Sequence, residues 1–171
     1  MKNTGKNAGS EKDIFEIAVG SAARALAEAG DLDVRFSTDR PGLSAGEMRL
    51  PHLPAKPSES DVAYVRGLSD SLAMRQRHHS SALHSKHQPA GSLGRAVFDM
   101  LETVRLEALA ANDYSGCRAN LAEVSERRGA DAGLSAPLDA GTVPTPQQLA
   151  STIGFLARER LTGEAPPASL S

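Results

Sequence analysis

From Ser58 to Ala108 the apolar residues return every three or four positions, and that period commits the middle of the chain to helices. Val65, Leu68, Leu72, His79 and Leu83 trace one stripe, with Gln76 filling its gap. Ser58 stands before it with Asp61 three residues on, the pattern of a capping box. The stripe predicts a helix from Ser58 to about residue 86, ended by Pro89 and Gly91. A second stripe, Leu93, Val97, Leu101, Val104 and Ala108, predicts a helix from Ser92. "NDYSG" breaks it, and a shorter helix follows with Cys117, Leu121 and Val124 on one side.

The ends of the chain carry the same signals. Ser10, with Asp13 at the third helical position, is expected to cap a first helix with Ile14, Phe15, Ala18, Ala22 and Leu26 on its inner face and Gly30 as its stop. Thr145, with Pro146 first and Gln148 closing a capping box, starts a last helix. Its buried face is expected to be Leu149, Ile153, Leu156 and Leu161, and Gly163 its stop. "GADAGLSAPLDAGTVP" between these helices is an irregular loop.

The period changes to two in "DVRFST" and "EMRLP", with turn-rich "DRPGLSAG" between, which predicts a small hairpin over about residues 33–51. Two strands alone are marginal in water, so the hairpin must lean on helices. Aromatic residues make up 4% and Trp is absent, so the core is built from Leu, Val, Ile and Ala, which favours close-packed helices. The expected fold is therefore mainly α. It comprises a flexible start over 1–9, a helical domain of about five helices over 10–163 with a β-hairpin after the first, and a tail over 164–171.

The formal net charge of −2 means that any electrostatic function must come from a local patch. A lone cysteine, Cys117, excludes an internal disulfide and a cysteine-rich zinc module, and suits a reducing compartment. The polar start "MKNTGKNAGSEKD" has no secretory pattern, and no apolar run approaches the roughly 20 residues of a bilayer span. These features point to a cytoplasmic protein without membrane contact.

The candidate chemistry gathers in "AMRQRHHSSALHSKHQ", which holds His78, His79, His84 and His87. His84 and His87 lie three apart, a usable spacing for two imidazoles on one cation. Two ligands fall short of the three or four that zinc takes, so they are weak metal candidates. His79 lies on the apolar stripe and is expected to pack inward. Arg75, Arg77, His78 and Lys86 remain as a basic face able to dock an acidic surface, against the bland alternative of a solvated helix face. No aromatic residue interleaves with the arginines to stack on bases, which argues against nucleic acid.

Other motifs are thin. "GLSAG" matches a nucleophile elbow, but Ser44 sits in a turn between short strands, not between a strand and a helix. "GSLGRAVF" opens a helix after a loop, not the strand that a phosphate fingerprint requires. Cys117 beside Gly116 and Arg118 could carry a lowered pKa, although a buried structural thiol is commoner. The residues describe a helical binding module without its own active site.

Four stretches, "GLSAGEMRLP", "RGLSDSLAMRQRHHSSALH", "FDMLETVRLEALAAN" and "LARERLTGEAPP", resemble the T subunit of the aerobic, ATP-dependent cobaltochelatase over residues 10 to about 168. The resemblance implies a place in an enzyme that inserts cobalt into hydrogenobyrinic acid a,c-diamide during cobalamin biosynthesis. Its implied partners are a large corrin-binding subunit and an AAA+ ATPase subunit. The complex uses ATP, magnesium and cobalt, none of which this chain is expected to bind itself. The family continues into an acidic linker and a von Willebrand-type domain with a D-x-S-x-S adhesion site. That element is absent here, so the resemblance implies the N-terminal region and carries over no adhesion-site residue. The alternative function is a histidine-based cobalt-binding or delivery module.

Overall fold

The computed structural model describes residues 4–134 and 142–166, with side chains from residue 11 onward. Helix α1 (Thr4–Ala27) leads into strands β1 (Asp33–Ser37), β2 (Gly42–Ser44) and β3 (Glu47–Pro51). Five more helices follow among the described residues: α2 (Glu59–His78), α3 (Ser81–His87), α4 (Ser92–Asp113), α5 (Ser115–Asp131) and α6 (Pro146–Thr162). The mainly α class holds. The helix count rises by one because the long helix expected to reach residue 86 is two helices.

Local capping chemistry sets several boundaries as expected. Ser58 Oγ accepts the Asp61 N–H at 3.1 Å, and the Asp61 carboxylate accepts the Ser58 N–H at 3.0 Å. Thr145 and Gln148 repeat the arrangement at α6, which ends on Gly163 with φ 72°. The first helix departs from expectation. It begins at Thr4, so Ser10 lies inside it, and Glu28 at φ 51°, not Gly30, takes the left-handed position after it. Of the irregular loop, α5 takes residues up to Asp131, and residues 135–141 lie outside the described ones.

The hairpin is formed by β2 and β3, joined by Ala45 and Gly46 with φ 46° and 81°. Left-handed backbone at both loop positions matches strand twist in a two-residue hairpin. Ser44 ends β2 at this turn, with no helix behind it. Strand β1 is not the other half of the hairpin. It pairs parallel to β3, Asp33 opposite Glu47 and Ser37 opposite Pro51, which makes β3 central in a three-stranded sheet.

Two buried clusters hold the layers. Val19, Ala23 and Ala27 of α1 close over Leu32, Met48 and Leu50 of the sheet and Ala73 of α2. Met74, the next residue of α2, joins Leu106, Ala110 and Ala111 of α4 and Cys117 and Leu121 of α5. Helix α2 thus separates the sheet layer from the helical layer.

The buried faces of the first and last helices differ from the expected ones. In α1 the buried line is Val19, Ala23, Ala27, with Phe15 and Leu26 beside it, while Ala18 and Ala22 are exposed and Ile14 is 63% exposed. In α6 the buried residues are Ala150, Ser151, Gly154, Phe155 and Arg158, and Ile153, Leu156 and Leu161 are exposed. The reason is close approach. A Cβ on Gly154 would stand 2.6 Å from Met100 Cγ, so α6 meets α4 through its smallest residues. The side-chain amide of Asn112 and the guanidinium of Arg118 then donate to the Leu161 and Thr162 carbonyls that the end of α6 leaves over.

Candidate functional site

The histidine segment straddles the break between α2 and α3. His79 has extended backbone (φ −89°, ψ 131°), and Ser80 caps α3 by accepting the Leu83 N–H at 3.3 Å. Ending α2 here frees its last carbonyls. The guanidinium of Arg105, from α4, donates to the His78 carbonyl at 3.3 Å and so covers one of them.

Helix α4 also supplies two carboxylates. His79 Nδ1 lies 2.9 Å from Glu102 Oε1, and His84 Nε2 lies 2.7 Å from Asp99 Oδ1. A carboxylate only accepts, so each of these ring nitrogens carries the proton and donates. The His79 and His84 rings are 5.0 Å apart, and His84 lies 4.6 Å from the Phe98 ring. His79 packs inward as expected. Leu83, expected on the buried stripe, is 60% exposed because α3 has turned away from the α2 axis.

Arg105 hydrogen bonds hold the Glu102 carboxyl at about 2; burial opposes them and His79 assists. A carboxyl depressed in this way stabilises the fold above its ordinary value near 4.5, and that contribution disappears as pH falls towards 2. The melting-temperature gap between wild type and Glu102→Gln is therefore expected to be widest above pH 4.5 and to close below it. A gap that does not change with pH would remove Glu102 as the ionised anchor.

His78, Leu83, His84, His87, Phe98 and Arg105 line an open groove of about 340 Å³ between α3 and α4. The structure therefore brings His84 and His87 to one groove. Among the described residues, no three His, Cys, Asp or Glu side chains converge as a metal set. Of the basic candidates, His78 and Lys86 are exposed and Arg75 is half-buried. Arg77 is engaged elsewhere, paired to Glu28 at 2.6 Å and donating to Tyr114 Oη at 3.2 Å. Sequence reasoning missed Asp99, Glu102 and Arg105 as partners of this segment. They lie a helix away in the chain, and no spacing rule links them to the histidines.

The remaining nucleophile candidate, Cys117, is buried. Burial pushes the Cys117 thiol up to about 12, with the Asp70 carboxylate adding to the effect. Asp70 itself is raised by burial, against a hydrogen bond donated by the Asn120 amide at 3.0 Å. No helix among the described residues is long and apolar enough to cross a membrane.

Fold and site together define a mainly helical protein with one histidine-lined surface groove, where His78, His84 and His87 stand with Arg105 and Glu102. The chain belongs to the family of the cobalamin biosynthesis protein CobT, whose family model matches residues 9–171. That membership places its role in cobalamin biosynthesis and agrees with the resemblance carried by its motifs. No solved structure matches the chain.

Proposed function

We propose that the chain is a non-catalytic, N-terminal helical domain of the cobaltochelatase T subunit that docks to the AAA+ ATPase subunit while the large subunit holds the corrin. The observation that carries this reading is helix α3. It has no buried residue and carries His84, Lys86 and His87 in its last turn. It meets α4 through His84, whose ring pairs with Asp99 and lies against Phe98, so Lys86 and His87 stay on an outer face beside a groove that is partly apolar. Such a face suits an acidic protein surface, and His78, Lys86 and Arg75 are the side chains able to reach one. Arg77 serves the fold instead.

Co-purification of the chain with the AAA+ subunit tests the reading. A Lys86→Glu/His78→Glu double variant is expected to weaken retention at least tenfold, and the wild-type contact to weaken steeply with salt. Equal retention of wild type and double variant, or none of either, would sink the docking idea. A calorimetric cobalt titration distinguishes the delivery alternative: tight binding lost in His84→Ala/His87→Ala would favour it.

A further inference from the structure

Strand β1 is an outer strand of the sheet, and its far side has no strand partner among the described residues. The phase of the ladder says which groups are left over. Asp33 donates its N–H to the Gly46 carbonyl at 3.1 Å, so Asp33, Arg35 and Ser37 turn their backbone groups towards β3. By alternation Val34 and Phe36 turn theirs outward. Such an edge is a template for another strand.

Two features flank this edge. On the α1 side, Ile17 and Ser21 form a groove with Val34 and Phe36, and Ile14 and Ile17 are 63% and 69% exposed. Ile14, Ile17 and Ser21 follow one line along the helix. On the opposite sheet face, Asp33 and Arg35 are exposed and paired with each other at 2.6 Å, with Glu47 of β3 3.5 Å from the same guanidinium, so a partner strand exchanges this exposed pair for a cross-strand one.

That charge pattern is self-complementary. We propose that the occupant of the edge is β1 of a second copy, antiparallel about a two-fold axis at Val34, making one continuous sheet from two. In this register Asp33 faces the partner's Arg35, and Arg35 faces the partner's Asp33. The neighbouring registers are worse. An axis at Arg35 stacks the two guanidinium groups, and an axis at Phe36 sets Asp33 beyond the end of the partner's β1, where no opposite charge of the strand meets it. Opposed like charges are destabilising, so charge selects the Val34 register. The same axis brings the two α1 stripes alongside one another and removes Ile14 and Ile17 from water. The inference uses none of the residues of the docking groove and stands apart from that reading.

Mass measurement by sedimentation across a wide concentration range tests it on the intact chain. Wild type is expected to approach twice the monomer mass. Asp33→Arg alone sets cation against cation, and Arg35→Glu alone sets anion against anion, so each is expected to dimerise at least tenfold more weakly. An equimolar mixture of the two is expected to recover the dimer, because every cross-strand pair is again opposite in sign. That recovery also shows that both variants fold. Ile17→Glu is expected to lower the dimer mass as well. A wild type that stays monomeric, as it would if the edge served an extended segment of another protein, overturns the proposal. Single variants that dimerise normally, or a mixture that stays monomeric, overturn it too.

Discussion

Glu107→Ala is expected to lower the stability of the chain by about 3–5 kcal/mol, the range for removing one partner of a buried ion pair. Glu107 is 1% exposed, and Arg128 meets it with both terminal nitrogens, at 2.7 and 3.1 Å. Ser71 Oγ donates to the same carboxylate at 2.8 Å. One side chain of α4 therefore ties α2 and α5, and its loss leaves a guanidinium and a hydroxyl without their acceptor.

The cost lies in the orphaned partners more than in the pair's own attraction. Replacing Glu107 and Arg128 together by apolar residues of similar volume is accordingly expected to recover most of the loss. Urea unfolding followed by circular dichroism checks both variants, with a shifted midpoint at constant slope as the expected form. A loss below about 1 kcal/mol in Glu107→Ala would mean the site relaxes or wets, since that is the value of an ordinary hydrogen bond. Because Glu102 and Asp99 lie one to two turns upstream on the same helix, the tie also sets where the histidine groove finds its carboxylates.

Gly67→Ala and Gly154→Ala are expected to differ sharply, although each adds one methyl group to a helix. A Cβ on Gly67 would lie 2.3 Å from the Asn120 carbonyl oxygen and 2.7 Å from its carbon. Backbone cannot step aside, so α2 and α5 would have to separate. That separation would strain the Asn120 bond to Asp70 and the packing of Val124. Overpacking costs of about 1–3 kcal/mol or more then outweigh the roughly 1 kcal/mol that Ala gains over Gly in a helix.

At Gly154 the close atoms are Met100 Cγ at 2.6 Å and Sδ at 3.0 Å. A methionine side chain can rotate away, and the helix gain offsets much of the strain, so the net change is expected within about 1 kcal/mol. Denaturant unfolding of the two variants side by side decides it. If Gly154→Ala proves the costlier, the α4–α6 contact and not the α2–α5 contact is the tight one.

Much of the framework was legible because its causes are local. The Ser58–Asp61 and Thr145–Gln148 boxes, the Gly163 stop, the start of α4 at Ser92 and the break at Tyr114 each involve groups within a few residues of one another. The buried line Cys117, Leu121, Val124 of α5 was also readable from period alone. For the candidate site, the segment and the inward packing of His79 were legible, but not its anchors.

Where the reading departed from the structure, a distant partner had decided. The α2 stripe continues through His79 to Leu83, yet Glu102 and Arg105 of α4 stand at the place where the helix ends. In α6 the large apolar residues suggested one face, but the small residues on another allow nearer contact with α4. In α1 the sheet and α2 select the Val19 line over the Ile14 line. Strand β1 alternates as a hairpin strand would, and only the assembled sheet shows it parallel to β3.

By itself, then, the sequence determined the locally capped boundaries, the starts of α2, α4 and α6 and the stop of α6, since propensity and capping act over one turn. It also determined that the histidines and basic side chains lie in one segment. The tertiary structure alone decided which helix faces are buried, how β1 pairs, and that Asp99 and Glu102 hold His84 and His79. Those outcomes depend on which surfaces fit closest in space, and the period of a single helix carries no information about its neighbours.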